Sequence, residues 1–300
     1  MFEIHNSIKD LHGAIPARKL LVERALQYLD GLSQESDGDP SLQRELAAAY
    51  DRVGDVQGGT ASANLGDFSG ALISYISRVH LGADYLGAAK EFRWTGDNHQ
   101  AAQYANAAID SFEPIARANP DNATYREYLA EIYDQSAPIF EDSGNLGRAL
   151  KYSKDLVHIF EQLSSSEPSD QLARDNVGLS QLDLGELLLR ERQEERSIPH
   201  FRMAVAVFES ISHKNRYDVY GLNDADFRLG EAYILLADRD ASPAKKEEHL
   251  LASRSWFEKS LNTSGSNIFS DSSFSTHSRD DIKQQLARCA AALKKLQRAD

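Results

Sequence analysis

Apolar residues recur along this chain every three or four positions, and no stretch alternates polar with apolar residues convincingly, so the pattern predicts helices and no strand. From Pro16 to Leu32, the residues Leu20, Leu21, Ala25, Leu26 and Leu29 fall at helical spacing, with Gly31 where a helix stop is expected. Five later stretches share a signature: Leu46-Ala47 with Tyr50, Ala88-Ala89 with Phe92, Leu129-Ala130 with Tyr133, Val177-Gly178 with Gln181, and Leu229-Gly230 with Tyr233. Each is followed by a second helical stretch in which a small residue comes four before a small or aromatic one. These are Ala71/Tyr75, Ala101/Ala105, Ala149/Ser153, Ser197/Phe201 and Ala252/Trp256. Two alternating signatures predict helix pairs. A unit of that size cannot bury its apolar face alone, so neighbours must stack.

The punctuation between stretches agrees with pairs. Gly54-Asp55, Gly66-Asp67, Gly96-Asp97 and Gly144-Asn145 put glycine where a helix must end with positive φ. Asp39-Pro40, Asn119-Pro120 and Glu167-Pro168 predict helix starts, because proline is tolerated in a first turn. The small and polar stretch Val56 to Leu65 predicts an inserted loop, and the serine-rich tract Thr263 to Ser278 predicts an irregular one. After it, Asp280-Asp281 caps a last helix with Ile282, Leu286, Cys289, Leu293 and Leu296 along one side. The expected organisation is one all-α domain over 1–300, with a leading helix at 14–34, about five helix pairs over 40–262, a loop at 263–280 and a capping helix at 281–298.

Composition narrows the function classes. With 41% hydrophobic and 26% charged residues the 300-residue chain is ordinary globular material. Its net charge of −13 repels phosphate backbones and anionic headgroups, which disfavours nucleic acid as a partner. The single cysteine, Cys289, rules out an internal disulfide and multi-cysteine metal sites. No apolar run approaches a bilayer-spanning length, and the N-terminus lacks an export signal, so a cytoplasmic location without membrane insertion is expected.

Catalytic scaffolds were sought in the sequence. There is no Gly-x-Ser-x-Gly elbow and no Gly-x-x-x-x-Gly-Lys-Ser/Thr loop. The nine histidines, His80, His99 and His249 among them, lack the paired spacing of a metal site. No enzyme, cofactor or metal is therefore expected.

Leu46-Ala47-x-x-Tyr50, a Gly-Asp turn and Ala71-x-x-x-Tyr75 resemble the tetratricopeptide repeat, although the spacings from Tyr50 to Phe92 (42 residues) and from Tyr133 to Gln181 (48) exceed the usual ~34. The segment from Pro16 to Leu29, together with Ala63-Asn64-Leu65-Gly66-Asp67, Trp256 to Leu261 and Ile282 to Leu293, is similar to the repeat region C-terminal to the catalytic domain in certain bacterial serine/threonine kinases. The kinase itself is absent: there is no glycine-rich loop or His-Arg-Asp motif, and Asp67-Phe68-Ser69 departs from the magnesium-binding triplet. In such kinases a membrane helix can precede the repeats, which would make them periplasmic.

The resemblance implies a right-handed superhelix whose first helices line a concave groove. Aligned on Tyr50, Phe92, Tyr133, Gln181 and Tyr233, the groove residues are Arg44, Asp51, Arg52, Lys90, Arg93 and Trp94 at a basic, aromatic end, with Glu127, Glu131, Asp134, Gln135, Asp175 and Glu231 at an acidic one. Such a surface would hold a protein or peptide segment, with Trp94 as apolar anchor; the alternative for Trp94 is a place in the core. The asparagines of a carboxylate clamp are missing. The expected function is a non-catalytic interaction scaffold in bacterial signalling. A small-ligand sensor that modulates a kinase is the alternative, separated by whether the groove is an open channel or a closed apolar pocket.

Overall fold

The computed structural model describes residues 15–35, helical positions between 42 and 57, and residues 85–211, 214–264 and 277–298. Over these residues the chain is an all-α helical repeat without a strand. In order come α1 (Ile15–Glu35), α2 (residues 85–95), α3 (Asn98–Ala118), α4 (Ala123–Asp142) and α5 (Leu146–Ser166). They are followed by α6 (Gln171–Arg190), α7 (Glu194–Ser210), α8 (Arg216–Arg239), α9 (Pro243–Thr263) and α10 (Arg279–Leu296). Consecutive helices pair as α2/α3, α4/α5, α6/α7 and α8/α9, and α10 packs on α9. Among the described residues no helix is long and apolar enough to cross a membrane. Arg44, Asp51, His80, the Gly54-Asp55 and Gly66-Asp67 turns, Asp39-Pro40, the Ala71/Tyr75 pair and the serine-rich tract over 265–276 lie outside the described residues.

Several boundaries differ from the sequence expectation. Helix α1 runs through Gly31, and its inner face is Val22, Ala25 and Leu29, while Leu20 is exposed. Val56 and Gln57, expected in a loop, are helical and buried, in step with Leu46, Tyr50 and Val53 on one face. Pro120 and Pro168 precede the caps Asn122 and Asp170 and do not open the helices themselves; Pro243 does occupy the first position of α9. The last helix starts earlier than its acidic pair suggested, because Ser278 is the N-cap and Asp281 closes a capping box three residues on.

The chain divides within α5 into two compact units, Met1–Tyr152 and Ser153–Asp300. In the first, each hairpin closes on a tyrosine that stacks on one ring of the facing helix and meets a second at a tilt. Tyr104 of α3 lies 6.4 Å from Tyr85 and 5.3 Å from Phe92 of α2. Tyr152 of α5 lies 4.9 Å from Tyr133 and 5.5 Å from Phe140 of α4. Every member of the second set is 48 residues after its counterpart in the first. The helix reversals keep the same step, with Gly96 (φ 84°), Gly144 (φ 77°) and Arg192 (φ 57°). Tyr85 is therefore the equivalent of Tyr133, and the alignment of Phe92 with Tyr133 is corrected by seven residues, two turns along the same helix face.

A polar rung repeats with the hairpins. The Tyr50 hydroxyl donates to Asp30 (2.6 Å), the Tyr133 hydroxyl to Glu113 (2.9 Å) and the Gln181 amide to Glu161 (3.1 Å), each pair 20 positions apart. Each rung ties the first helix of one hairpin to the carboxylate-bearing helix before it.

In the second unit, phenyl rings are seated where the facing helix has no side chain. Phe201 of α7 abuts Gly185 of α6, and Phe257 of α9 abuts Gly230 of α8; an added Cβ at either glycine would lie 2.6 Å from the ring. The buried pair in α9 is thus Ser253 and Phe257, with the Ser253 hydroxyl donating to the Gly230 carbonyl (2.8 Å). Ala252 and Trp256 are one position out of that register. Helix α8 has 24 residues against 20 in α6, and α9 has 21 against 17 in α7, so the last hairpin is a turn longer on each side. Phe208 sits between two glycines, Gly178 of α6 and Gly221 of α8.

Replacing Gly221 with alanine would put a Cβ 2.4 Å from the Phe208 ring. Overpacking of this kind costs about 1–3 kcal/mol and outweighs the ~1 kcal/mol that alanine gains in a helix. The expected outcome in urea unfolding is a net loss of about 1 kcal/mol or more for Gly221→Ala, part of which is recovered when Phe208→Leu is added.

Candidate functional site

The expected groove lies on the first helix of each pair; in the first unit two such helices, α2 and α4, border a pocket. Its volume is about 180 Å³, and it is lined by Leu86, Gly87 and Lys90 of α2, Phe112 of α3, and Tyr128, Glu131 and Ile132 of α4. The apolar residues follow from helical spacing: Leu86 and Ile132 are the buried edges of their helices, and Phe112 is a fully buried floor. Tyr128 stands edge-on to Phe112, with centroids 6.0 Å apart and planes at 77°, and is 48% exposed. Tyr125 makes a second edge contact with the same ring (5.9 Å, 84°), which fixes the floor. A Cβ at Gly87 would meet nothing within 4 Å, so the missing side chain keeps this wall open.

Of the predicted groove residues, Lys90 and Glu131 meet at this pocket, one on each wall. Asp134 lies one turn beyond Glu131; burial raises its pKa, the Gln135 amide bonded to it (2.8 Å) and Lys90 oppose the rise, and the Glu131 charge adds to it. Arg93 lies at the end of α2, where its Nε donates to Asp142 of α4 (2.6 Å). Asn98 donates to the Asp142 carbonyl (3.0 Å), so this corner is a closed clasp between hairpins. Trp94 is 89% exposed, which removes it from the core, and it is not part of the pocket wall. Arg52 and Glu127 are exposed helical residues.

The two remaining groove candidates belong to the second unit. Glu231 of α8 accepts from Arg228 (2.8 Å), whose Nε also reaches Glu186 of α6 (2.9 Å) and lies 3.6 Å from Asp224. Burial opposes the charge on Arg228, and the three carboxylates outweigh it. Glu231 is thus committed to an ion-pair cluster that ties α6 to α8. Asp175 of α6 is pushed up to about 6, first by burial and then by the neighbouring Asp218 carboxylate. Asp218 is itself buried as the capping-box partner of Asn215 and accepts from Gln171 (3.3 Å).

The residues that the sequence reading missed are Leu86, Gly87, Phe112, Tyr128 and Ile132. Gly96 and Gly144 carried the signal: once the 48-residue step between those turns is taken as the repeat, Tyr85 falls opposite Tyr133 and Leu86-Gly87 enters the groove.

No protein-family model matches the chain, and no curated protein matches it in sequence. Among solved structures, the crystal structure of BtubC (BKLC) from P. vanneervenii is 18% identical over 82% of this chain and 92% of that chain, with a TM-score of 0.44. Yeast Tom70 is 14% identical over 95% of this chain and 60% of that one, with a TM-score of 0.27. A DHF58 filament is 12% identical over 95% and 96%, with a TM-score of 0.16. All three superpositions are loose, and the architecture rests on the helix pairs described above.

The last hairpin also holds a buried acid. Asp226 of α8, only 2% exposed, is pushed up to about 7 by burial; Lys259 opposes the shift and the Glu209 charge adds to it. Its folded value lies above the unfolded value of about 4, so the stability it allows is complete below about pH 4 and lost as pH rises through about 7. The Asp226→Asn variant should therefore be more stable than the parent by on the order of 4 kcal/mol at pH 8 and nearly equal to it at pH 4, as measured by urea unfolding at the two pH values.

Proposed function

We propose that this chain is a non-catalytic interaction module that holds an extended protein segment against the α2–α4 wall, with one apolar side chain in the pocket. The observation that carries the reading is that pocket: an apolar cavity of about 180 Å³ with a fixed aromatic floor and opposite charges, Lys90 and Glu131, on its two walls. Sites for whole small molecules are ~300–1,000 Å³, whereas a single large apolar side chain suits this one. The charged walls give the bound segment a direction, with its acidic flank toward Lys90 and its basic flank toward Glu131 and Asp134. The similarity of Pro16 to Leu29 and of Trp256 to Leu261 to the repeat tails of bacterial serine/threonine kinases supports a place beside such a kinase, as a docking or regulatory module.

Gly87→Leu supplies the test, because the new side chain projects into open space at the pocket wall and leucine is a better helix former than glycine. The variant should fold at least as stably as the parent. Random twelve-residue peptides displayed on phage and selected on the parent should enrich an apolar residue flanked by an acidic residue on one side and a basic one on the other. The Gly87→Leu protein should bind these peptides at least about tenfold more weakly, since a buried apolar side chain contributes ~1.5–3 kcal/mol. Equal binding by parent and variant would refute the proposed site.

A further inference from the structure

A second cavity, of about 370 Å³, opens in the second unit between the α6–α7 turn, the end of α8 and the start of α9. Two pairs close within it. Arg239 bonds Glu194 and donates to the Arg192 carbonyl (3.2 Å), and His249 Nδ1 lies 2.6 Å from Asp240. Three cations then remain, Arg192, Arg196 and Lys245, against the carboxylates of Glu195 and, with His249 neutral, Asp240. Arg196 donates to the neutral amide oxygen of Gln193. Among the described residues no carboxylate lies within ion-pair distance of Arg192 or Lys245. In a chain of net charge −13 this is a locally positive cavity.

Two further observations concern the same residues. Arg192 has φ 57°, the left-handed region, at the repeat position where Gly96 and Gly144 stand in the preceding hairpins. Glycine makes this turn without strain, so the fold alone does not call for arginine; strained backbone of this kind collects at binding sites. Lys245 sits in the first turn of α9, where the N-cap Ser242 makes no side-chain cap bond and no acidic residue matches the helix dipole before Glu247 and Glu248 in the next turn. A cation there is unfavourable unless an anion lies beside it.

We propose that this cavity takes a phosphoryl group, carried on a protein side chain or free in solution. Arg192 and Arg196 supply planar, paired donors and Lys245 a point charge, the combination that suits three phosphoryl oxygens. The cavity is large enough for part of the carrier as well as the anion.

The test uses the full chain, calorimetric titration at constant ionic strength with chloride as the balancing salt, and two probes: inorganic phosphate and the capped peptide Gly-phosphoserine-Gly. Saturable binding of either probe, lost by about tenfold or more in Arg192→Gly, is the expected result, since one charge-assisted contact is removed. Tighter binding of the peptide assigns the phosphoryl group to a protein; equal or tighter binding of inorganic phosphate assigns it to a free anion. Arg192→Gly restores the residue that the turn prefers, so its melting temperature without phosphate should equal or exceed that of the parent. Lys245→Ala, on α9 and not in the strained turn itself, should weaken both probes in the same way. Non-saturable heats with both probes, or unchanged affinity in both variants, would overturn the proposal.

Discussion

The second unit depends on rings pressed against helices at points where those helices carry no side chain. Phe201 meets Gly185, Phe257 meets Gly230, and Phe208 meets both Gly178 and Gly221. A phenyl ring brings a large apolar area, and a helical glycine costs about 1 kcal/mol in propensity, which close packing of the two helices offsets. The first unit reaches the same end by another route, with Tyr104 and Tyr152 each stacked on one ring of the facing helix and tilted against a second. Hydroxyl-bearing rings there also tie successive hairpins, as Tyr133 does with Glu113, so aromatic packing and polar registration come from the same residue.

Registration is what makes the wall usable. The rungs from Tyr50, Tyr133 and Gln181 to acids 20 residues earlier hold each first helix at a fixed height against the preceding hairpin. The pocket in the first unit is the gap between α2 and α4, the second of which is so held, and its floor is the Phe112 ring from the helix between them. In the last hairpin the buried acid Asp226 feels opposed influences from Lys259 and Glu209, and burial dominates its chemistry.

The all-α class, the pairing of helices and the small residues at Ala101, Ala105, Ala149, Ser197 and Gly178 were legible in the sequence, because helical spacing and closeness of approach depend on local residue size. The register was not. Ala88-Ala89 with Phe92 imitates Leu129-Ala130 with Tyr133, and a shift of seven residues returns to nearly the same side of a helix, so the pattern is satisfied either way. Only the turns at Gly96 and Gly144 separate the two alignments. That slip moved Arg93 and Trp94 into the expected groove in place of Leu86 and Gly87, while Lys90 and Glu131 reached the pocket in spite of it. Ala252/Trp256 stood in for Ser253/Phe257 for a related reason: both have a small residue four before an aromatic one, and the extra turns of α8 and α9 decide between them.

Phe208 belongs to α7 yet touches backbone on both α6 and α8. Neither neighbour can peel away without uncovering the ring, which would then lose contact on the side facing the departing helix. Loosening of the last hairpin is consequently felt by the one before it. In amide exchange, α6 and α8 should open as a single cooperative block, with the frayed edge of the unit beginning beyond α8.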